Sequence, residues 1–300
     1  MNRFLRFVGL VFICTIILAF VNEWACRWLI SQSTGNPIYK MERLWGNADT
    51  NEIAIVGSSR AQAHYVPSLI ATNCFNYGCD GQSFGETLFH LSALKKRGGN
   101  APIIVNFDPW WSTISWSDRF FVCDYRLAPQ SGRVHGVDAI PGIRFYGNLR
   151  NSVTAWLNAK RSITKVVDNG AVLEKHIRSA SEWEVINEKQ IPYSFVRNED
   201  ACSTFKEILN GFSPRRVYVI IAPCSRRFME LFDGEDVLCQ YMKELNSISN
   251  VTAVNMLGDK RFSQADFVDT THLNVEGAYK FTAFLVDLMD INRMKDVVCL

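Results

Sequence analysis

Five short apolar runs recur after residue 50 and predict the strands of one sheet. They are Glu52–Val56, Cys74–Tyr77, Pro102–Phe107, Val217–Ala222 and Val251–Met256. The third and fourth runs are nearly continuous and rich in Val and Ile. Continuous runs are typical of parallel strands covered on both faces, whereas half-exposed strands alternate apolar and polar residues. The pattern therefore favours a parallel sheet with these two strands near its centre.

Amphipathic stretches lie between the apolar runs and predict helices over Ser83–Arg97, Ser225–Ser247 and Asn274–Met289. The first of them ends in three basic residues followed by Gly98 and Gly99, which is typical of a helix C-terminus. Strands that alternate with helices predict an α/β fold built on a three-layer, doubly wound parallel sheet. Ligands of such sheets bind at the carboxyl ends of the strands.

The interval from residue 109 to about residue 200 separates the third strand from the fourth and is too long for one crossover connection. It reads as an insertion over the carboxyl edge of the sheet, with a mostly helical part from about Val153 to Glu184. Trp110, Trp111 and Trp116 lie near its start. They suit either stacking on sugar rings or packing within the insertion.

The N-terminus carries a different pattern, because Arg3 and Arg6 precede an apolar run over Phe7–Val21, and Trp24 and Trp28 follow it. A basic flank, an apolar run and interfacial tryptophans are typical of a segment that enters a membrane from the cytoplasmic side. Three interpretations stay open, namely an uncleaved signal anchor, a cleaved signal peptide and a buried core helix. The first two place the rest of the chain outside the cytoplasm, in the periplasm or the extracellular space.

The domain organisation that follows has three parts. Residues 1–30 form a signal anchor or transmembrane segment with its N-terminus in the cytoplasm, residues 31–50 form a polar spacer, and residues 51–300 form the α/β domain with its insertion. The net charge of +2 and the absence of a run of basic residues give no reason to propose a nucleic-acid partner. The nine cysteines include no Cys-x-x-Cys metal motif, and most read as small buried residues, although Cys74 and Cys79 could pair in an oxidising compartment.

Candidate chemistry lies at the ends of the predicted strands. Gly57, Ser58 and Ser59 follow the first strand, so a serine hydroxyl is presented where a strand turns into a helix. Asp269 lies three residues before His272, just ahead of the last predicted helix. Together these residues supply a nucleophile, a base and an acid that orients the base, which are the parts of a serine acyl-transfer site. Taken alone, the serines also suit a helix cap, and the second segment suits an ordinary turn.

Two further strand ends offer hydrogen-bond donors for an oxyanion. Gly78 follows the second strand, where a glycine lets the backbone N–H approach a reacting carbonyl, and an ordinary turn is the alternative. Asn106 lies near the end of the third strand and carries a side-chain amide. With the N–H of Ser59, these groups are the predicted oxyanion donors.

The joint pattern resembles the SGNH (GDSL-like) hydrolase family. That family has Gly-Asp-Ser after its first strand, a glycine after the second, Gly-x-Asn-Asp after the third and Asp-x-x-His before the last helix. The corresponding residues here are Ser59, Gly78, Asp269 and His272, and the resemblance covers roughly residues 50–108 and 217–290.

This chain departs from that pattern at two places. Ser58 replaces the usual aspartate, as in the membrane-anchored branch of the superfamily that modifies cell-surface polymers. The third block reads Val105–Asp108 and lacks its glycine. An alignment on Asp108 places Phe107 at the position of the oxyanion asparagine, whereas an alignment on Asn106 keeps the donor in a shifted register.

The resemblance implies a flavodoxin-like SGNH fold and a serine esterase or O-acyltransferase that acts, without cofactor or metal, through an acyl-enzyme. Its implied substrates are acyl esters, in particular acetyl esters, of cell-envelope glycans. Its implied partners are an acylated or acceptor glycan, the membrane through the N-terminal segment, and envelope biosynthesis proteins. Two alternatives stay open. The first is a catalytically inactive domain that binds glycan or acts as a scaffold in the envelope, and the second is a flavodoxin-like nucleotide binder, which the lack of a glycine-rich phosphate loop disfavours.

Overall fold

The computed structural model describes residues 2–46, 49–112, 122–145, 165–189 and 191–290, together with Val153 and Leu157. Its helices are α1 (Asn2–Ser31), α2 (Pro37–Trp45), α3 (Ser59–His64), α4 (Pro67–Ile70), α5 (Phe84–Arg97), α6 (Ala180–Lys189), α7 (Glu199–Asn210), α8 (Arg226–Met229), α9 (Glu235–Asn246) and α10 (Val275–Asp290). Its strands are β1 (Ile53–Val56), β2 (Cys74–Asn76), β3 (Ile103–Asn106), β4 (Lys165–Asp168), β5 (Ala171–Glu174), β6 (Tyr193–Ser194), β7 (Val217–Ile221), β8 (Phe232–Asp233) and β9 (Val251–Asn255). Trp116, Cys299 and most of the first half of the predicted helical part of the insertion lie outside the described residues.

Five strands form one parallel sheet in the order β2-β1-β3-β7-β9. These are the five predicted strands, which are confirmed with ends that differ by one residue. Counted along the chain, the order is 2-1-3-4-5, which is found in doubly wound sheets that reverse direction between the first and third strands. The carboxyl ends of β1, β3 and β7 therefore lie side by side at one edge.

Both faces of the sheet are covered, which explains why its central strands are apolar throughout. On β3, Val105 belongs to one hydrophobic core and its neighbour Ile104 to the other. The first core contains residues of α2, α5, α7 and α9, and the second contains residues of α3, α6, α10 and β5. The molecule thus has three layers, as predicted.

The helix predicted over Ser225–Ser247 is wrong as a single element. The structure divides it into α8 and α9, with β8 between them. Gly234 causes the break, because its φ of +84° is a conformation that glycine adopts readily, and a Cβ there would lie 2.4 Å from the carbonyl oxygen of Phe195. The short strand β8 pairs with β6 of the insertion and attaches it to this side of the domain.

The part of the insertion that was predicted to be mostly helical contains a hairpin. Strands β4 and β5 pair antiparallel from Lys165 opposite Glu174 to Asp168 opposite Ala171. Asn169 and Gly170 form the turn with φ values of 41° and 89°. Asn-Gly between apolar positions is a strong hairpin signal that the helical prediction overlooked.

The predicted spacer contains an ordered helix that packs on the domain. Asn36 caps α2 by accepting a hydrogen bond from the N–H of Ile38, and Pro37 occupies the first turn. Lys40, Met41 and Leu44 are buried, and the latter two belong to the first core. The segment therefore joins α1 to the domain through packed structure.

The N-terminal apolar run forms part of one helix, α1, which by length and composition could cross a membrane. In the most apolar 18-residue stretch of this helix, no residue is buried against the rest of the described chain. At 30 residues, α1 is about 45 Å long.

The prediction that most cysteines are small buried residues is confirmed for Cys26, Cys74, Cys79, Cys123, Cys202 and Cys224. Cys74 and Cys79 are both free thiols, so they do not form the disulfide considered from the sequence. Cys239 is disulfide-bonded.

Candidate active site

A tight turn after β1 presents Ser59. Gly57 adopts a φ of +144°, and a Cβ there would lie 2.9 Å from the backbone oxygen of Asn106 on the neighbouring strand. Ser58 is the N-cap of α3, and its hydroxyl accepts a hydrogen bond from the N–H of Arg60. Ser59 is therefore the first residue of α3, half-buried at the carboxyl edge of the sheet.

The turn before α10 brings His272 to this serine. His272 Nε2 lies 2.8 Å from Ser59 Oγ, across 213 residues of sequence. On the other side of the ring, Nδ1 lies 2.9 Å from Asp269 Oδ2. Since an ionised carboxylate can only accept, Nδ1 carries the proton and Nε2 is free to accept the proton of the serine hydroxyl. The structure thus brings together the predicted nucleophile, base and acid.

The backbone holds Asp269 in place, because its Oδ1 accepts hydrogen bonds of 2.8 Å from the N–H groups of both Thr271 and His272. Burial raises the pKa of Asp269, but the hydrogen bond and charge of His272, together with these N–H groups, outweigh it and lower the pKa to about 2. Burial likewise lowers the pKa of His272, but the hydrogen bond and charge of Asp269 outweigh it and raise that pKa above its usual value. The pair is therefore arranged to stabilise an imidazolium.

His64 supports the same turn from α3. It is fully buried, and its Nε2 accepts a hydrogen bond of 3.1 Å from the N–H of Leu273. Burial and the nearby charges of Arg60 and His272 hold the pKa of His64 well below its usual range, so it stays neutral. Its partner is a backbone group 209 residues away, and no sequence pattern identifies such a contact.

In the structure, two of the predicted oxyanion donors have hydrogen-bond partners within the protein. The N–H of Gly78 donates to Asn76 Oδ1 at 2.9 Å, and a Cβ at Gly78 would lie 2.6 Å from Ala61. The glycine therefore allows α3 to pack closely against the end of β2. Asn106 is fully buried, and its Nδ2 donates to Asp108 Oδ1 at 2.9 Å.

A buried polar network below the serine was not predicted. Asp108 accepts hydrogen bonds from the hydroxyl of Ser58 and from Arg60, whose Nη1 lies 3.1 Å from Oδ1. Arg60 is fully buried and also donates to the carbonyl oxygens of Ala222 and Pro223 beyond β7. Arg60 therefore does not face solvent.

The tryptophans at the start of the insertion pack within the domain. Trp111 is buried against Phe84 and Phe107, and Trp110 lies beside Tyr193 and Phe228. Of the two alternatives that the sequence left open, these contacts favour packing over stacking on sugar rings for both indoles. They also place Phe107 in an aromatic cluster rather than at an oxyanion site.

A cavity of about 480 Å³ opens at the serine. Its lining includes the three residues of the Ser59–His272–Asp269 array, Asp80 after β2, Val268 before Asp269, and residues of α3, the hairpin and the segment that follows the hairpin: Gln62, Ala63, Lys165, Val172, Glu174, His176 and Arg178. The insertion therefore forms one wall of the cavity, as expected for a segment over the carboxyl edge. Among the described residues that line it, none is Phe, Tyr or Trp.

Gln62 is a polar lining residue on the same helix as Ser59. It lies three residues after Ser59 on α3, so both side chains project from the same side of the helix. Its Oε1 accepts a hydrogen bond of 2.9 Å from the N–H of Asp80. This contact orients the amide and leaves Nε2 as its donor end.

A second polar cluster lies inside the domain. Ligand atoms of Glu86, His90 and Cys123 lie within 4.8 Å of one another, and all three residues are buried. The carboxylate of Glu86 already accepts from the N–H groups of Val122 and Cys123 and from Tyr125 Oη, which also lies 2.9 Å from His90 Nε2. The cluster has the composition of a metal site; Glu86 and His90 Nε2 already take part in hydrogen bonds, whereas the buried Nδ1 of His90 has no hydrogen-bond partner among the described residues.

No family model matches the chain, and no curated protein matches it. A solved structure provisionally named as a platelet activating factor from Streptococcus pneumonia is similar, with 12% sequence identity and a TM-score of 0.43. The alignment covers 88% of this chain and 95% of that chain.

Proposed function

We propose that this protein is a serine esterase or O-acyltransferase of the SGNH type that works through an acyl-enzyme on Ser59. The observation that carries the proposal is the continuous array from Ser59 Oγ to His272 Nε2 at 2.8 Å and from His272 Nδ1 to Asp269 at 2.9 Å. A nucleophile within hydrogen-bond reach of a base, and a base oriented by a third group, form the geometry of nucleophilic acyl transfer.

In this mechanism His272 Nε2 takes the hydroxyl proton of Ser59 as Oγ attacks the ester carbonyl carbon. Asp269 stabilises the imidazolium that forms. The imidazolium then gives its proton to the leaving alcohol oxygen, and the C–O bond to that oxygen breaks. Water or a sugar hydroxyl next attacks the acyl-enzyme, loses a proton to His272 and releases Ser59, which regains its proton.

The oxyanion of the tetrahedral intermediate requires donors other than Gly78 and Asn106. The N–H of Ser59 is one, because the cap at Ser58 takes the N–H of Arg60 instead. The amide of Gln62 is the second, since it lines the same cavity and is held by its contact to Asp80. Donors aimed at developing charge account for a large part of the rate in such sites.

We propose an acyl ester of a cell-envelope glycan, in particular an acetyl ester, as the substrate. Two observations support this class. The cavity is lined mainly by polar and charged side chains, including Lys165, Glu174 and Arg178, which suit a hydroxyl-rich ligand. The chain also carries a helix long and apolar enough to cross a membrane, which suits an enzyme that works at the outer side of the membrane with other envelope proteins.

The test is labelling of the full-length protein with a fluorophosphonate probe, followed by turnover of an acetyl ester. We expect wild-type protein to be labelled and Ser59→Ala to lose labelling and turnover. Ser203→Ala is the matched control, because Ser203 is exposed on α7 and donates only to the backbone oxygen of Asp200. Equal labelling of wild type and Ser59→Ala would contradict the assignment.

A catalytically inactive glycan-binding or scaffold domain is the second candidate. The observation that favours it is the internal use of Gly78 N–H and Asn106 Nδ2, which leaves fewer donors for an oxyanion. Wild-type protein that binds an acetylated glycan but shows neither probe labelling nor ester turnover would establish this alternative.

A further inference from the structure

A short apolar segment of the insertion lies beside the end of α1. Residues 136–143 carry three exposed large apolar side chains, Val137, Ile140 and Ile143, of which 63%, 46% and 44% is exposed. They are separated by Asp138, Pro141 and Gly142 rather than arranged on a regular helix face. Exposed apolar side chains that cluster in one segment indicate contact with an apolar partner.

Several contacts hold this segment against α1. The N–H of Gly142 donates to the carboxylate of Glu23, and Arg144 forms an ion pair with the same carboxylate at 3.3 Å. Both charged side chains are more than nine-tenths buried. Asn22 Nδ2 donates to the backbone oxygen of Phe145 at 3.2 Å. The two polar residues of α1 that follow its apolar run, Asn22 and Glu23, therefore both contact the segment or the residues directly after it.

The same contacts set the level of the segment along α1. The apolar run ends at Val21, and Glu23 is the first acidic residue after it. Gly142 also approaches the preceding turn, since a Cβ there would lie 3.4 Å from the Cβ of Ala19. Ala19 is four residues before Glu23, which is about 6 Å along the axis. The segment therefore lies at the level of the last apolar turn.

At that level, α1 itself is exposed. Ile16, Ile17, Phe20 and Val21 each have more than two-fifths of their surface exposed. The apolar side chains of residues 137–143 thus continue an apolar surface that belongs to a helix able to cross a membrane. A lipid bilayer that surrounds α1 would cover the apolar side chains of residues 137–143 at the same time. A protein partner would have to cover the exposed apolar side chains of α1 in addition to those of the segment.

We propose that residues 137–143 insert into the interfacial region of the membrane beside α1 and form a second membrane contact. Val137, Ile140 and Ile143 enter the boundary between headgroups and acyl chains. The buried Glu23–Arg144 ion pair joins the segment to α1 and lies at the level of the polar headgroups. Together with α1, this contact restricts the orientation of the domain relative to the bilayer. This inference is independent of the catalytic proposal.

The experiment uses full-length protein reconstituted in phosphatidylcholine–phosphatidylglycerol vesicles, with the photoreactive residue p-benzoylphenylalanine at one position per variant. The test positions are 137, 140 and 143. Position 12 on α1, where Phe12 is 66% exposed, is the positive control. Position 279 is the matched negative control, because Tyr279 is 43% exposed on α10, which packs on the opposite face of the sheet from α2.

After irradiation we expect phospholipid adducts at positions 12, 137, 140 and 143 and none at 279. A dansyl-bearing residue at position 140 gives a second readout, because its emission should shift to the blue on reconstitution and be quenched by lipids with brominated acyl chains. Adducts at position 12 with none at 137, 140 and 143 would overturn the proposal, as would cross-links from these positions to a second copy of the chain. Absence of adducts at position 12 would overturn the membrane anchor and this proposal together.

Discussion

The hydrogen-bond directions around His272 decide what this site can do. The ionised carboxylate of Asp269 can only accept, so Nδ1 of the neutral imidazole carries the proton and Nε2 faces Ser59 unprotonated. His64 cannot replace it as the base, because its Nε2 already accepts from the N–H of Leu273. One histidine is therefore available to take the proton of the serine, and a neighbouring histidine holds the turn that carries it.

The charge state of His272 predicts the pH dependence of labelling by the fluorophosphonate probe. Because Asp269 raises the pKa of His272, the labelling rate should fall as the pH is lowered through a midpoint above the ordinary histidine value of 6.5. The contribution of this raised pKa to the stability of the fold changes with pH in the opposite direction to the labelling rate. The raised pKa stabilises the fold below about pH 6.5, and that contribution is lost as the pH rises through the pKa of the folded state.

Asp269→Asn is the matched variant for this prediction. It removes the charge that raises the pKa of His272, so the midpoint should move to lower pH, and turnover of the acetyl ester should fall by about 10⁴-fold. The rate–pH profiles of both proteins, measured with the probe in excess, check the shift. A midpoint that Asp269→Asn leaves unchanged would contradict the coupling.

Gln62 should act as an oxyanion donor. In Gln62→Glu, a carboxylate oxygen can still accept from the N–H of Asp80, but the donor is gone. We expect kcat for an acetyl ester to fall by about 100- to 1000-fold with little change in KM, because the lost interaction forms in the transition state. Steady-state kinetics measure the split, and thermal unfolding shows whether the fold is intact. A rise in KM alone would instead assign Gln62 to substrate binding.

The hairpin formed by β4 and β5 is the element that completes the cavity. Lys165, Val172 and Glu174 line it, while Ala171 and Leu173 pack in the second core beside α3. The turn of the hairpin touches the end of β2, because a Cβ at Gly170 would lie 2.2 Å from the backbone oxygen of Asn76. The position of one wall of the cavity therefore depends on a glycine in the turn.

Gly170→Ala should displace this hairpin. A left-handed conformation costs a residue with a Cβ about 1–2 kcal/mol, and overlap with the backbone of β2 adds about 1–3 kcal/mol. Gly132→Ala separates the two effects, since Gly132 has a φ of +70° and nothing within 4 Å of an added Cβ. We expect both variants to lower the free energy of unfolding, Gly170→Ala by more, and Gly170→Ala alone to slow probe labelling of Ser59. Chemical denaturation and labelling rates measure these effects, and equal losses in both variants would show that the overlap relaxes.

Sequence patterns predicted the elements that depend on local or repeated signals. Continuous apolar runs located the five sheet strands to within one residue, because burial on both faces leaves little room for polar residues. The division of the segment Ser225–Ser247 into two helices was not predicted, because the helical spacing of its apolar residues continues across Gly234. The partners of Gly78 and Asn106 could not be predicted, since their contacts depend on how α3, β2 and β3 pack together.

At the scale of the whole molecule, a buried ion pair joins the three strand ends that lie beside Ser59. Arg60 follows β1, Asp108 follows β3, and the carbonyl groups that Arg60 also contacts, at Ala222 and Pro223, follow β7. These strands are neighbours in the sheet. Ser58 donates to the same carboxylate, so the turn that presents Ser59 is anchored to the third strand by this network.

The costs of removing the two partners of this pair should not add. Arg60→Met leaves Asp108 as a buried charge without its cation, and Asp108→Asn leaves Arg60 without its anion. Loss of one partner of a buried pair typically costs about 3–5 kcal/mol. The double variant retains neither charge, so its loss of unfolding free energy should fall short of the sum of the single losses by about 0.5–3 kcal/mol.

Urea denaturation of the wild type, the two single variants and the double variant measures this coupling. The reference cycle is Arg227→Met with Glu230→Gln, a pair at 3.3 Å in which both side chains are more than one-third exposed, for which we expect coupling below about 1 kcal/mol. Because the network also anchors the turn at Ser59, the single variants should lose probe labelling under conditions where they stay folded. Equal coupling in the two cycles, or single variants that label at the wild-type rate, would show that the carboxyl edge is held by packing instead.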